Sequence, residues 1–358
     1  MDNQSTLGVV AHLRTSPESC PYAAGRFEVS EKGLYYIYIP SKEDAKEAKQ
    51  WIASPLKVVA KTRDEHGNEW GRLLRWQDDD SLLHEWAVPM EMLEGDPAEV
   101  RRILACQGLH IAAGPRRDLL LAYIKVWPVD QRVRCVSRLG WHGLVFVTPH
   151  GSIGATDEQY VYQNPHALDA RTLPQGTLEG WQAGVARLAQ GNSRLVFSIC
   201  AALSGPLYEL AQEGSGGFHL RGVSSSGKST ALGVAATVWG DPQTDIKSWR
   251  TTINGLEGLA SLHSDRVLIL DELNQADPCA VGEAAYLLGN GQGKTRATKH
   301  GTARPTQQWR LPFLSAGEVS LTELSAQVGK RATAGQEVRF ADIEADAGAG
   351  LGVFETLH

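Results

Sequence analysis

Cysteines are few in this 358-residue sequence, and none of them lies at a metal-binding spacing. The five cysteines contain no CxxC pair, which argues against a zinc finger and against a scaffold held by disulfides. Reduced thiols in a cytoplasmic protein fit this pattern. The five are Cys20, Cys106, Cys135, Cys200 and Cys279.

Long hydrophobic runs are also missing. No apolar run approaches the roughly 18–20 residues that span a bilayer. The first ten residues, MDNQSTLGVV, have neither the basic region nor the apolar core of a secretory signal. The sequence therefore predicts a cytoplasmic protein that has no membrane partner.

The chain lacks a positive net charge. Lys and Arg number 35 against 41 Asp and Glu, which gives a net charge of −6. Any contact with nucleic acid must therefore depend on a local basic patch. The hydrophobic share of 42% is typical of globular proteins, and the length favours two domains, with three as the alternative.

Hydrophobic patterns divide the chain into segments of different character. After a weakly patterned lead-in over residues 1–22, short strand patterns and two helical stretches predict an α+β domain over 23–172. Residues 173–215 have the pattern of a helical connection. From 216 to 358 strands and helices alternate, which predicts a parallel sheet with helices on both faces. The last predicted strand is QEVRFADIE.

A phosphate-binding motif, GxxxxGK[ST], lies between a predicted strand and a predicted helix. Glycines allow the backbone to wrap a phosphate, and the N–H groups at the helix start bind the anion. Lys228 is predicted to contact the β- and γ-phosphates of ATP, and Ser229 to ligate Mg²⁺. The competing interpretation is a chance Gly/Ser turn at a helix start. The predicted nucleotide-binding residues are Gly222, Ser224, Ser225, Ser226, Gly227, Lys228, Ser229 and Thr230.

Two acids follow the apolar strand RVLIL. Downstream of such a motif, Asp271 is predicted to hold Mg²⁺ and Glu272 to act as the general base that activates water. The alternative is a buried strand that ends in two solvated acids. A catalytic carboxylate at this place argues against small-molecule kinases and Ras-like switches.

Two further catalytic residues are predicted downstream. Ser315, near the end of the next strand pattern, is the candidate sensor of the γ-phosphate, although serine at a strand end is also a turn former. Arg331, with Lys330 as the alternative, is the candidate arginine finger that acts on a neighbouring subunit's nucleotide. A basic residue at a helix C-terminus is also favourable without any catalytic role.

A basic segment interrupts the acidic chain. Residues 284–317 contain no Asp or Glu, and their Gly and Thr content indicates a hairpin. Lys294, Arg296 and Lys299 are predicted to contact the phosphates of single-stranded DNA. The alternatives are a solvated loop, or residues that contact a neighbouring subunit's nucleotide.

Several blocks resemble the domain-of-unknown-function 927 family, in order and from about Arg26 to the C-terminus. They are EWGRLLRW, HEWAVPM, RLGWHG, SWRTTINGLEGLASLHSDRVLILDEL, YLLGNGQGKTRA, WRLPFLSAGEVSLTEL and GKRATAGQEVRFADIEADAGAGLGVFETLH. The resemblance implies a P-loop ATPase encoded by a plasmid, phage or genomic island, similar to replicative helicases with an MCM-like AAA+ motor. It implies an ASCE-type α/β core with AAA+ character after the α+β domain.

This resemblance also implies an activity and partners. The expected function is an ATP-driven helicase or translocase that works as a ring on single-stranded DNA in replication of a mobile element. The family usually continues beyond a point equivalent to His358, so the helical lid of such motors is expected to be missing from this chain or to lie outside it. Two rivals stay open: a nucleotide-gated regulatory or defence ATPase that acts on a protein partner, and a structural or loader module without catalysis.

Overall fold

A computed structural model gives the structure of the protein and describes residues 19–40, 46–149, 151–154, 156–162, 176–295, 306–331 and 333–357. Its contacts divide the chain into two units. The first unit comprises Met1–Val136 and Thr156–Gln163, and the second comprises Ser137–Ala155 and Asn164–His358. Within the described ranges, no helix is both long and apolar enough to cross a bilayer.

The strands and helices follow the hydrophobic patterns of the sequence closely. The strands are β1 (Ser19–Tyr22), β2 (Gly25–Ser30), β3 (Gly33–Tyr38), β4 (Ala48–Ala53), β5 (Leu56–Arg63), β6 (Gly71–Gln77), β7 (Leu83–Pro89), β8 (Arg132–Val136), β9 (Gly140–His142), β10 (Val145–Thr148), β11 (Gly151–Ile153), β12 (Gln159–Tyr162), β13 (Gly216–Arg221), β14 (Ile246–Ser248), β15 (Leu268–Asp271), β16 (Pro312–Gly317) and β17 (Phe340–Glu344). The helices are α1 (Met90–Glu94), α2 (Pro97–Cys106), α3 (Asp118–Val126), α4 (Leu178–Trp181), α5 (Arg187–Ala189), α6 (Ser193–Ser204), α7 (Leu207–Ala211), α8 (Lys228–Ala236), α9 (Pro242–Asp245), α10 (Ile253–Leu262), α11 (Val281–Asn290), α12 (Leu321–Ala326) and α13 (Ala334–Arg339).

The first unit combines two sheets with the helices α1–α3. One sheet is antiparallel in the order β1-β2-β3-β4, and the other is mixed in the order β12-β8-β5-β6-β7. In β5 every second residue, from Leu56 onward, is buried, as a strand with one face on the core requires. The main core of this unit packs side chains of the sheets against α2 and α3.

The second unit contains a parallel sheet in the order β14-β15-β16-β13-β17. Side chains of β15 alternate between two hydrophobic clusters. Leu268 and Leu270 pack with α10, α11 and α12, whereas Ile269 packs with α6 and α8. Both faces of the sheet are therefore covered by helices, as the alternating sequence pattern predicts. A small antiparallel sheet, β11-β10-β9, belongs to the same unit.

The fold differs from the sequence-based prediction at the start of one strand and in the extent of the first domain. The first residues of the predicted strand QEVRFADIE are helical, because α13 runs to Arg339 and β17 begins only at Phe340. Ser137–Ala155 groups with the second unit, although the sequence pattern placed it in the α+β domain. The reason is a buried carboxylate: Asp265 accepts a hydrogen bond from the Trp141 N–H at 2.8 Å.

Candidate nucleotide-binding site

The predicted P-loop joins β13 to α8. Residues 222–227 form the turn, and α8 begins at Lys228 with Gly227 in the left-handed region at φ 84°. A Cβ on Gly227 would lie 2.6 Å from Val353 Cγ2, so glycine is required there for space as well as for conformation. The turn carries Ser224, Ser225 and Ser226, and the first helical turn carries Ser229 and Thr230. The N-cap residue Gly227 has no side chain that could cap this helix start, and the first N–H groups of the helix lack helical acceptors.

The Lys228 ammonium lies over the turn. Its Nζ donates to the carbonyl oxygens of Gly222 at 2.9 Å and Val223 at 2.7 Å, and it lies 3.4 Å from Ser226 Oγ. The cation is therefore placed at the mouth of the loop, where an anion would meet it together with the helix N-terminus.

The predicted metal ligands are in direct contact. Ser229 Oγ donates to Asp271 Oδ2 at 3.1 Å, and Asp271 Oδ1 accepts the Glu272 N–H at 2.8 Å. A hydroxyl and a carboxylate side by side are the hard oxygen donors that Mg²⁺ prefers. The donor set therefore fits a magnesium ion shared with a phosphate.

Glu272 has an unusual backbone conformation. It lies in the left-handed region with φ 61° and ψ 59°, and its side chain is exposed. Its Oε2 accepts a short hydrogen bond from Gln275 Nε2. A non-glycine residue held in this region is costly, and such residues concentrate at functional sites.

The sheet topology explains why residues far apart in sequence meet here. The strands β15, β16 and β13 are neighbours and parallel, so their carboxyl ends lie at one edge of the sheet. Ligands of open parallel sheets bind at this edge. The P-loop and the acid pair are brought together by this arrangement.

Ser315 lies inside the protein and not at the end of its strand. The strand β16 continues to Gly317, and Ser315 is fully buried. Its Oγ accepts from Trp249 Nε1 at 2.8 Å and lies 3.0 Å from His219 Nδ1. The sensor role predicted for Ser315 stays a prediction. No role was predicted for His219 or Trp249 from the sequence.

Arg331 and Lys330 lie at a different place in the second unit. Both are exposed and border a cavity of about 320 Å³ whose lining includes Glu283 and Tyr286 but no residue of the P-loop or the acid pair. Lys330 Nζ donates to the Cys279 carbonyl at 2.7 Å. Their role toward a neighbouring subunit stays a prediction.

The basic segment begins as a hairpin. Gln292 pairs antiparallel with Gln308, and the Gly293 N–H donates to the Gln307 carbonyl at 2.9 Å. Lys294 Nζ forms an ion pair with Glu283 at 2.7 Å, with both side chains about half exposed. Arg296 and Lys299 lie outside the described residues.

A segment near the C-terminal end of the described residues, for which the sequence predicted no role, supports the P-loop. Residues 351–354 pass behind the loop, where the Val353 N–H donates to the Ser226 carbonyl at 2.9 Å. Gly352 has φ 66°, and a Cβ there would lie 2.2 Å from that same oxygen. The glycines of AGAGLGVF were the available signal, because closely spaced glycines mark close backbone approach.

Three comparisons relate the chain to known proteins. No curated protein matches the chain. A solved structure described as "SCCmec type IV Cch - active helicase" is similar, with a TM-score of 0.66 and 20% identity. The match covers 90% of this chain and 59% of that chain, so this chain spans little more than half of the neighbour's length. At this identity the likeness shows a shared fold.

The family comparison covers most of the chain. The model for DUF927, described as a domain of unknown function, matches residues 27–308 and thus includes the predicted P-loop and the acid pair. The resemblance found in the sequence blocks is confirmed over these residues, and the chain belongs to the DUF927 family.

Proposed function

We propose that the second unit is a P-loop ATPase core of the ASCE and AAA+ type, which binds ATP with Mg²⁺ and hydrolyses it. The observation that carries this proposal is the 3.1 Å contact between Ser229 Oγ and Asp271 Oδ2. It joins the start of α8 to the end of β15 at the carboxyl edge of a parallel sheet. A chance Gly/Ser turn would not be expected to place its following serine against an acid pair 42 residues further along the chain.

Each residue of this edge has a specific role in the proposal. The N–H groups of residues 222–230 and the Lys228 ammonium bind the phosphates. Ser229 and Asp271 hold Mg²⁺, which when bound supplies charge neutralisation at the β- and γ-phosphates. Glu272 accepts a proton from the attacking water, and Gln275 fixes the orientation of its carboxylate.

We further propose that the chain is a helicase or translocase that acts on single-stranded DNA in replication of a mobile element. In support, the antiparallel bridge between Gln292 and Gln308 brings the two ends of the basic segment together. The ion pair of Lys294 with Glu283 is exposed and therefore weak, so Lys294 can exchange Glu283 for a DNA phosphate. The shared fold with a protein described as an active helicase agrees with this proposal.

The proposal includes assembly into a ring. An arginine that completes a neighbouring subunit's site must be exposed and must lie away from its own subunit's P-loop. Arg331 meets both conditions, since it borders a cavity that the P-loop does not line. In the ring, Arg331 would stabilise charge on the transferred phosphoryl group.

The test is steady-state ATP hydrolysis with and without single-stranded DNA. We expect DNA to accelerate hydrolysis, and Glu272→Gln to lower kcat by roughly 10²–10⁴-fold, the usual contribution of a general base. Glu213→Gln, which removes an exposed carboxylate outside the site, is the matched control and should retain the parental rate. A Glu272→Gln protein that hydrolyses ATP at the parental rate would disprove the assigned base.

The DNA proposal has its own outcome. Charge reversal at Lys294 and Lys299 should abolish stimulation by DNA while DNA-independent hydrolysis persists. Lys57→Glu makes one such charge reversal at an exposed position in the first unit and serves as the control. Binding should weaken steeply as salt rises, because phosphate contacts release counterions. Slow hydrolysis that ignores DNA would instead favour the regulatory alternative.

A further inference from the structure

Three buried side chains, one directly after β14 and two from the neighbouring strands β16 and β13, form a continuous hydrogen-bonded line below the nucleotide edge. Trp249, directly after β14, donates from Nε1 to Ser315 Oγ in β16 at 2.8 Å. Ser315 Oγ lies 3.0 Å from His219 Nδ1 in β13, and His219 Nε2 lies 3.0 Å from the Val319 carbonyl oxygen. All three side chains are at most 2% exposed.

The donors and acceptors of this line are fixed by chemistry. The indole of Trp249 is only a donor and the Val319 carbonyl is only an acceptor. His219 therefore carries its proton on Nε2, and its Nδ1 accepts the proton of the Ser315 hydroxyl. Burial lowers the pKa of His219, which keeps the ring in the neutral form that this line needs.

Both ends of the line reach residues of the proposed site. At one end, the backbone N–H of Trp249 donates to the Asp271 carbonyl at 3.1 Å, so the line is attached to β15, the strand that ends in the acid pair. At the other end, Val319 belongs to the turn that follows β16, directly after the exposed Glu318. Directly before that turn, the carbonyl of Gly317 at the end of β16 accepts the backbone N–H of Gly222 in the P-loop at 3.1 Å.

We propose that Trp249, Ser315 and His219 are positioning residues that hold the turn after β16 in register with the P-loop and the acid strand. This inference rests on the proposed ATPase function. Ser315 then acts through its two buried partners, and the groups presented to the nucleotide at this strand end are those of residues 317–319. If this turn were displaced, the residues that surround the attacked phosphate would be misaligned, although ATP would still bind.

Substitutions of the line's first member, Trp249, test the proposal on the full chain. Trp249→Phe removes the donor to Ser315 and keeps the aromatic ring. We expect kcat for ATP hydrolysis without DNA to fall roughly ten- to a hundredfold, as misplacement at an active site does, while KM for ATP stays within about twofold. A fall in kcat with no change in KM is the signature of lost alignment.

Trp309 provides a matched control. Its Nε1 donates to the Leu288 carbonyl at 3.1 Å, it is also buried, and it precedes the opposite end of β16. Trp309→Phe should lower the melting temperature about as much as Trp249→Phe, because each loses one buried hydrogen bond. It should retain the parental kcat.

The two contacts of His219 can be separated. His219→Gln places an amide donor near the Val319 carbonyl, whereas His219→Asn keeps only an acceptor for Ser315. If the turn is what the line positions, the glutamine variant retains more of kcat than the asparagine variant. Equal kcat values in these two variants would show that the contact with Val319 positions nothing.

Amide hydrogen exchange makes the inference testable apart from the ATPase proposal. Residues 318–320 should exchange faster in Trp249→Phe than in Trp309→Phe. Unchanged exchange there would overturn the positioning role even if the parent hydrolyses ATP. An unaltered kcat in Trp249→Phe, beside an inactive Glu272→Gln, would overturn it while the proposed ATPase function stands.

Discussion

The buried carboxylate of Asp265 gives the sharpest test of what holds the second unit together. It is fully buried just before β15, at the end of the sheet opposite the nucleotide edge. Oδ1 accepts from Arg310 Nε at 2.8 Å and Nη2 at 2.7 Å. Oδ2 accepts the Trp141 N–H at 2.8 Å and lies 3.3 Å from Arg138 Nη1. One side chain thus connects β15 to the start of β16 and to β9.

Asp265→Asn removes the negative charge of the side chain and keeps its shape. Asp265 has φ 56°, a left-handed conformation that asparagine also tolerates, so the backbone should persist. The amide nitrogen must face either Arg310 or the Trp141 N–H, which places a donor against a donor. Removing one partner of a buried ion pair costs about 3–5 kcal/mol. Because both arginines are partly exposed, we expect the lower end, about 3 kcal/mol of unfolding free energy.

Urea unfolding, monitored through the exchange of backbone amides in β15 and β16, measures the loss of unfolding free energy in the second unit alone. The melting temperature should fall by about 6–12 °C for a unit of this size. Glu209→Gln is the control, since Glu209 also pairs with Arg310 but its side chain is 39% exposed, and it should cost at most about 1 kcal/mol. An Asp265→Asn unfolding free energy within about 0.5 kcal/mol of the parent would refute the reasoning.

Two further predictions concern the P-loop support and the response to pH. Gly352→Ala should weaken ATP binding at least roughly tenfold in calorimetry, because the added Cβ would lie 2.2 Å from the Ser226 carbonyl oxygen. Gly348→Ala is the control: Gly348 also has a positive φ, 92°, but faces open space, and this variant should bind ATP like the parent. Burial lowers the pKa of His263 from 6.5 to about 4, so the folded protein favours the neutral ring. The unfolded chain takes up this proton at a higher pH, and the protein therefore loses up to about 3 kcal/mol of stability as the pH falls from 6.5 toward 4. His263→Asn keeps a donor for the Leu259 carbonyl and should flatten the slope of urea midpoints between pH 7.5 and 4.5; an unchanged slope would exclude His263 as its source.

The chemistry-bearing turns could be predicted from the sequence because their signals are local. The Gly/Ser motif before Lys228 and the apolar run before Asp271 each specify a strand end without reference to distant residues. That the two strands lie on either side of β16 could not be predicted, since strand pairing depends on contacts far apart in sequence. The burial of Ser315 has the same origin, because β16 is extended by its pairing with β13 up to Gly317.

Two other differences have separate causes. The helix α13 had a local signal that was overlooked: Gln336 Oε1 accepts the Thr333 N–H at 2.8 Å, as in a capping box. The placement of Ser137–Ala155 in the second unit had none, because it depends on Trp141 and Arg138 meeting Asp265 more than 120 residues later. Trp141 is therefore a packing residue of the second unit.

Magnesium-dependent ATP binding tests the central claim most directly. Parent protein, Glu272→Gln and Lys228→Ala are titrated with ATP in the presence of Mg²⁺ and again with chelator. The account predicts that the parent and Glu272→Gln bind ATP equally in Mg²⁺, that chelator weakens both, and that Lys228→Ala loses most of the affinity. Equal binding by all three proteins, or binding that ignores Mg²⁺, would contradict the account.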